Sequence, residues 1–135
     1  MVITQQHAEC LAREWVEAWN RHDVNGIMAH YAENILFTSP FVLILANEPT
    51  QRCKAQPRYE RILRKASRPI PELRFDLLDV LTGVRSVTLY YRSVHDKVAA
   101  ETMSLNDDGL IARVECHYWD GDKQAADSKG AIHGA

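Results

Sequence analysis

Hydrophobic positions near the start of the chain recur every three or four residues. This spacing is typical of one face of an amphipathic helix, and it predicts a helix over residues 5–20 with both tryptophans facing inward. The positions are Ala8, Leu11, Trp15 and Trp19. The spacing recurs in a second predicted helix, which begins after Asp23 as its N-cap and ends in a left-handed turn at Asn34. Its apolar positions are Val24, Ile27, Met28 and Tyr31.

The next stretch predicts less regular structure. Residues 35–39 form a short β-type run that Pro40 stops, and residues 41–46 suit a buried extended arm. Pro57 suits the first turn of a third helix. Proline lacks a backbone N–H, and an N–H in that turn would have no intrahelical partner.

After Pro71 the hydrophobic period shortens towards two, which indicates strands. We predict four antiparallel strands in a meander: Leu73–Leu81, Val84–His95, Val98–Asn106 and Leu110–Trp119. Three helices followed by such strands predict an α+β domain, with helices covering one face of a curved antiparallel sheet. We assign the domain to residues 1–119 and a mobile tail to the glycine-containing residues 120–135.

Side chains alternate between the two faces of a strand, so the strand pattern predicts which residues point inward. Glu101 is the exception, a carboxylate on an otherwise apolar inward face. The apolar inward residues are Val87, Leu89, Tyr91, Ala99, Met103, Leu105, Leu110, Ala112, Val114, Cys116 and Tyr118. His117 should point away from the core.

Composition supports one ordinary globular domain, since 46% of the 135 residues are hydrophobic and 25% are charged. The longest apolar run, residues 41–46, is far shorter than the ~20 residues of a membrane-spanning helix. The first residues lack the basic and apolar regions of a secretion signal, so we expect a cytoplasmic protein. Cys10, Cys53 and Cys116 are widely spaced and odd in number, which indicates reduced thiols.

Charge is unevenly distributed although the formal net charge is only −2. Between Arg52 and Arg68, seven basic residues and the single acid Glu60 give a local excess of +6. Such a run is usually a solvated helix face, so we do not expect nucleic-acid binding. Neither a glycine-rich phosphate loop nor a metal-ligand spacing of histidines is present, so we expect no cofactor and no metal.

Two stretches carry a family resemblance. They are residues 14–23, EWVEAWNRHD, continuing through HYAEN at residues 30–34 to FTSP at residues 37–40, and residues 108–118, DGLIARVECHY. They resemble the SnoaL-like branch of the nuclear transport factor two superfamily. The resemblance implies a cone, in which a bent sheet wraps around the helices and leaves a pocket. The superfamily includes isomerases, cyclases, dehydratases, epoxide hydrolases and non-catalytic association domains, so the fold alone does not select a reaction.

Within that superfamily, ketosteroid isomerase offers three functional positions for comparison. Its general-base aspartate precedes a proline where this chain has Ser39, and a hydroxyl does not replace that base. Its oxyanion-hole tyrosine falls at Trp15, whose N–H is a donor in a different place. Its acidic oxyanion donor falls at Glu101, so one position of three is retained. Steroid isomerisation by that mechanism is therefore not expected.

Glu101 is the candidate catalytic residue, since burial in an apolar cone raises the pKa of a carboxyl towards the range useful for acid–base chemistry. A glutamate paired with an arginine at a pocket rim is the structural alternative. The candidate ligand pocket suits a small hydrophobic molecule, open-chain or cyclic. It is lined by Trp15, Trp19, Tyr31, Phe37, Val87, Leu89, Tyr91, Met103, Cys116 and Tyr118. His30 and His117 form a further candidate acid–base pair if the fold brings them together, whereas Ser39 lacks a nucleophile's sequence context.

Two functions remain open from the sequence. One is cofactor-free proton-transfer catalysis, as in isomerisation, cyclisation, dehydration or epoxide hydrolysis. The other is a non-catalytic ligand-binding or association domain. We also predict a homodimer through the outer sheet face, because aromatic and arginine side chains are enriched in interfaces. That face presents Tyr90, Arg92, Thr102, Arg113, Glu115, His117 and Trp119.

Overall fold

The computed structural model describes residues 2–39, the backbone of 52–54, and residues 74–93 and 97–119. Two helices precede the sheet, α1 (Gln5–Asn20) and α2 (Val24–Met28). The strands are β1 (Tyr31–Thr38), β2 (Arg52–Lys54), β3 (Asp76–Thr82), β4 (Ser86–Arg92), β5 (Val98–Leu105) and β6 (Ile111–Trp119). They form one six-stranded sheet in the order β2-β1-β6-β5-β4-β3. The predicted α+β class is confirmed.

Helix α1 has the predicted bounds and buries the predicted face. Its first turn is capped by Thr4, whose hydroxyl accepts a hydrogen bond from the backbone N–H of His7. Its end is closed by His22, which has a left-handed φ of 56°. The N–H groups of His22 and Asp23 bond to the carbonyls of Trp19 and Ala18, the pattern in which helices usually use glycine.

The second helix is shorter than the sequence predicts. Asp23 caps it as expected, accepting a hydrogen bond from Gly26, but the helix ends at Met28. The prediction that it continues through Tyr31 to a turn at Asn34 is wrong, because Tyr31 begins β1 and pairs with Ile111 of β6. Backbone pairing with a distant strand outweighs the local helical spacing here.

The meander of β3, β4, β5 and β6 is antiparallel, as predicted. The sheet as a whole is not, since β1 runs parallel to β6 while β2 runs antiparallel to β1. The turn between β5 and β6 uses Gly109 at a φ of 80°, and the Asn106 carboxamide accepts hydrogen bonds from the N–H groups of Asp108 and Leu110. This confirms the predicted turn at residues 107–109.

The alternation in β4 and β5 is as predicted, with Val87, Leu89, Tyr91, Ala99, Met103 and Leu105 buried beneath the helices. In β6, Val114 and Cys116 are buried, but Leu110 and Ala112 are only half-buried and Ile111 is fully buried instead. The register shifts between Ser104 and Leu105, which places Ile111 opposite Leu105 and corrects the predicted inward set at the start of β6.

Three predictions lie outside the described residues: the extended arm at 41–46, the third helix after Pro57 and the tail at 120–135. Most of the basic segment between Arg52 and Arg68 lies outside them as well. In the described part of the chain, no helix is long and apolar enough to cross a membrane.

Candidate functional site

Glu101 lies at the centre of the inward face of the sheet. Its neighbours across β5 are Leu89 on β4 and Cys116 on β6. The alternation that buries the flanking apolar residues buries this carboxyl as well, and the residue is only 3% exposed. The inward orientation predicted from the sequence is confirmed.

The carboxyl of Glu101 is held by hydroxyl and thiol groups. The Tyr91 hydroxyl donates a hydrogen bond of 2.8 Å to Glu101 Oε1. The Cys116 side chain also hydrogen-bonds to Glu101, and it bonds in turn to Tyr118 and Ser39. We call these five residues the Glu101 network. Three strands supply four of its members, and Ser39 joins from the end of β1.

Burial sets the protonation of the network. It raises the pKa of Glu101 to about 7, although the hydrogen bonds from Tyr91 and Cys116 act in the opposite direction. Burial also raises the pKa values of Tyr91, Cys116 and Tyr118 above their usual values. At neutral pH those three groups keep their protons, so Glu101 is the member of the network that changes charge.

Four aromatic rings pack beside this network, reaching it through Tyr91. Trp15 stacks on Phe75 with ring centroids 5.7 Å apart and planes 19° apart. Tyr91 contacts both, at centroid distances of 5.5 Å from Trp15 and 4.6 Å from Phe75. Trp19 contacts Trp15 at 5.7 Å and Phe75 at 5.1 Å. We call Trp15, Trp19, Phe75 and Tyr91 the aromatic cluster.

Side chains distant in sequence fix two members of this cluster. The Trp15 indole N–H donates a hydrogen bond of 2.8 Å to the Tyr31 hydroxyl. The carboxamide of Asn20 accepts from the Phe75 N–H at 2.7 Å and donates to the Phe75 carbonyl at 3.0 Å. The Trp19 indole N–H is buried and finds no acceptor among the described residues. A buried unpaired donor costs about 1–3 kcal/mol.

The structure brings most of the predicted pocket residues to the inward face. Nine of them are buried and Tyr118 is half-buried; the nine are Trp15, Trp19, Tyr31, Phe37, Val87, Leu89, Tyr91, Met103 and Cys116. Tyr91, Cys116 and Tyr118 hydrogen-bond within the Glu101 network. Val87, Leu89 and Met103 are fully buried and form the apolar floor of the sheet beside it.

The structure does not bring His30 and His117 together. The His30 carbonyl accepts a hydrogen bond from the N–H of Ile111, at the start of β6. His117 lies six residues further along that strand, a distance of about 20 Å. It also faces outward, where its Nδ1 lies 3.2 Å from the Ala100 carbonyl oxygen. Burial lowers the pKa of His30, although the charge of Glu14 acts in the opposite direction.

Two residues of the site are not predicted from the sequence. The sequence predicts only a strand-end position for Ser39, yet it is 1% exposed and hydrogen-bonds to Cys116 and Tyr118. The sequence pattern distinguishes Phe75 only as an apolar residue within a predicted strand. The position of Phe75 over Trp15 depends on hydrogen bonds with Asn20, which lies 55 residues away in sequence. A local sequence pattern does not predict such a long-range contact. For Ser39, the one signal in the sequence is its position directly before Pro40 at a strand end.

A surface groove on the described part of the chain is separate from this site. A groove of about 320 Å³ lies between α1 and β3, lined by Gln5, Glu9, Arg13, Leu77, Leu78, Asp79 and Val80. It shares no residue with the Glu101 network or the aromatic cluster. Within the described ranges, no three His, Cys, Asp or Glu side chains are grouped as metal ligands would be.

The sequence and the fold are both similar to known proteins. The sequence model of the SnoaL-like domain matches residues 12–124. A SnoaL-like protein of unknown function from Burkholderia thailandensis is 34% identical, with a TM-score of 0.86 over 89% of this chain and 100% of that one. No curated protein matches at a significant level.

More distant structures share the fold. A proposed ketosteroid isomerase from Kribbella flavida is 19% identical, with a TM-score of 0.69 over 90% of this chain and 83% of that one. SalBIII, an epoxide hydrolase/cyclase-like enzyme of pyran ring formation in the polyether salinomycin, is 14% identical, with a TM-score of 0.67 over 87% of this chain and 95% of that one. Given the family match over most of its length, the chain belongs to the SnoaL-like domain family.

Proposed function

We propose that this protein is a cofactor-free enzyme that transfers a proton to or from a hydrophobic, ring-containing small molecule, with Glu101 as the acid–base residue. One observation carries the proposal: a carboxyl only 3% exposed lies in the apolar interior and accepts a 2.8 Å hydrogen bond from a buried tyrosine. Perturbed acids of this kind cluster at functional sites.

The chemistry follows from the two protonation states of Glu101. With a pKa of about 7, both states are populated near neutral pH. The protonated carboxyl donates its proton to a developing oxyanion or leaving oxygen, and the carboxylate withdraws a proton from carbon or water. The Tyr91 hydroxyl stabilises the carboxylate that remains after donation. This proton transfer is common to isomerisation, dehydration, cyclisation and epoxide opening.

The surroundings of Glu101 support a hydrophobic ring compound as substrate. Aromatic and aliphatic side chains form the interior around it, and a small number of hydroxyl and thiol groups supply orientation, which is the usual composition of a small-molecule site. The fold neighbours include a proposed isomerase and an epoxide hydrolase/cyclase-like enzyme, so this architecture is compatible with such reactions.

A specific observation also favours the second candidate, a ligand-binding domain without catalysis. Ser39 stands where the base of ketosteroid isomerase is expected, and it bonds to Cys116 and Tyr118. Since Tyr91, Cys116 and Tyr118 keep their protons at neutral pH, the Glu101 network supplies one titrating group and no second base.

The test is turnover of a panel of hydrophobic ring compounds carrying a ketone, an alcohol or an epoxide. Ketones are assayed by deuterium uptake from D2O, and the others by product analysis. Glu101→Gln should reduce any turnover by about 10²–10⁴-fold, the usual contribution of general acid–base catalysis. The control Glu115→Gln changes a half-exposed carboxylate on the opposite face, paired with Arg113, and should leave the rate unchanged. Ligand binding without turnover by the wild type favours the binding domain, and equal turnover by Glu101→Gln contradicts the assigned role.

A further inference from the structure

Trp15 and Trp19 lie one helical turn apart on α1, and they differ in whether the indole N–H has a hydrogen-bond acceptor. The Trp15 N–H donates to the Tyr31 hydroxyl at 2.8 Å. The Trp19 side chain is 7% exposed, and its N–H has no acceptor among the described residues. Buried polar groups in folded proteins are nearly always paired, so an orphaned indole donor requires an explanation. Trp indoles normally place their N–H against a partner when they are buried.

The position of Trp19 within the aromatic cluster suggests what that partner is. All four rings are buried, with exposed fractions between 1% and 7%. The Trp19 ring contacts Phe75 at a centroid distance of 5.1 Å, with planes tilted by 43°. Tyr91 links the cluster to Glu101 through its hydroxyl.

Phe75 is also held in place independently of any ligand. The two hydrogen bonds between its backbone and the Asn20 carboxamide fix it beside Trp19. Asn20 follows Trp19 directly in α1, so the same helical turn positions both the indole and the phenyl ring. Trp19 and Phe75 thus combine two aromatic rings held in place by the fold with one unused hydrogen-bond donor.

We propose that Trp19 is a specificity-determining residue whose indole N–H donates a hydrogen bond to an uncharged acceptor atom on the ring of the bound molecule, while that ring packs against Phe75. This rests on the ligand pocket of the proposed function, but not on its proton-transfer step. A site with a buried donor discriminates against an analogue without the acceptor, because binding that analogue leaves the donor unpaired. The ligand class is therefore an aromatic or unsaturated ring compound bearing a neutral oxygen or nitrogen acceptor.

Quinoline and naphthalene test this inference, because they have the same shape and differ by one ring acceptor. Each is titrated into ¹⁵N-labelled protein at a pH where quinoline is uncharged, and the indole N–H signals are followed by NMR. Quinoline should bind about tenfold more tightly than naphthalene, the size of one neutral hydrogen bond. The Trp19 indole proton should move downfield with quinoline only. The Trp119 indole signal, from an exposed ring on β6, serves as the internal control.

Trp19→Phe removes the donor and keeps an aromatic ring, so it should reduce the preference for quinoline to near unity. The matched control, Trp119→Phe, changes a half-exposed ring on β6 and should retain the preference. If Trp19→Phe does not fold, the indole signals of the wild type still decide the question. The inference is overturned if the Trp19 signal does not respond to bound quinoline, if both compounds bind equally, or if neither binds.

These outcomes are separate from those of the proposed function. The quinoline preference is read at the Trp19 indole signal and by the Trp19→Phe variant, whereas proton transfer by Glu101 is read by turnover. If Glu101→Gln retains full turnover, proton transfer by Glu101 is wrong while the role of Trp19 stands. If the quinoline preference is missing but Glu101→Gln abolishes turnover, the role of Trp19 is wrong while the catalytic assignment stands.

Discussion

The Tyr91 hydroxyl and the Glu101 carboxyl form a buried pair joined by a 2.8 Å hydrogen bond. They lie on adjacent strands of the inward face, two residues apart in register, since Glu101 pairs with Leu89 and Tyr91 pairs with Ala99. The small side chain of Ala99 stands between Tyr91 and Tyr118, its partners on β4 and β6. The sheet thus places hydroxyl groups diagonally on both sides of a carboxyl that is costly to ionise.

Loss of the Tyr91 hydroxyl should raise the pKa of Glu101. The hydrogen bond from Tyr91 stabilises the carboxylate and lowers this pKa, whereas burial raises it to about 7. Tyr91→Phe removes the donor and keeps the ring, so the titration midpoint of Glu101 should move above about 7, as measured by ¹³C NMR of the side-chain carboxyl. Tyr90→Phe is the control, because Tyr90 faces outward and is 40% exposed. A midpoint in Tyr91→Phe equal to that of the wild type would show that the bond does not influence ionisation.

Glu101 should make the fold less stable as the pH rises. Its pKa is about 7 in the folded protein, against 4.5 for an unperturbed glutamate. Between these values the folded state binds more protons than the unfolded state, so the free energy of unfolding falls as the pH increases. The stabilising contribution is fully present below about pH 4.5 and is lost by about pH 7, a total of about 3 kcal/mol.

Glu101→Gln removes this dependence and keeps the side-chain shape. Denaturant unfolding should therefore show a smaller loss of stability between about pH 5 and about pH 8 in the variant than in the wild type. Folding at low pH should be nearly unchanged, because no cavity is created. Identical pH dependence in both proteins would be inconsistent with a raised pKa at Glu101.

Asn20 should contribute to stability through its link to Phe75. Asn20→Ala removes both hydrogen bonds between the carboxamide and the Phe75 backbone. We expect a loss of about 2 kcal/mol in the free energy of unfolding, measured by denaturant titration. Asn25→Ala is the control, because Asn25 is exposed on α2. A loss no larger than that of the control would mean that the Asn20 bonds do not stabilise this region.

The outer sheet face is the proposed homodimer interface. Tyr90 and Trp119 are 40% and 50% exposed on it, and Arg113 and Glu115 form an ion pair of 2.9 Å on the same face. Aromatic and arginine side chains are enriched in interfaces. Light scattering at micromolar concentration should give twice the chain mass of 15.4 kDa.

The joint substitution of Tyr90 and Trp119 by Asp should reduce that mass to the monomer value. The control Leu78→Asp changes an exposed residue on β3 and should leave the measured mass unaltered. A wild-type mass near 15.4 kDa would rule out the dimer.

The sequence predicted those parts of the site that depend on local periodicity. Strand alternation placed Glu101 and Tyr91 on the inward face because a period of two is a local property of the chain. It did not predict that Tyr31 leaves the helix to pair with Ile111, since that pairing joins residues far apart in sequence. The same limit applies to Phe75, Ser39 and the engaged Trp15 N–H, whose roles come from long-range contacts.

The most direct test of the central claim is the titration of the Glu101 carboxyl itself in the intact 135-residue chain. Selective ¹³C labelling of glutamate, with the Glu101 signal identified by its absence in Glu101→Gln, reports its protonation at each pH. The proposed acid–base role predicts a midpoint near 7, set by burial against the hydrogen bonds of Tyr91 and Cys116. A midpoint at or below the ordinary value of 4.5 would contradict it, because the carboxyl would then hold no proton to donate near neutral pH.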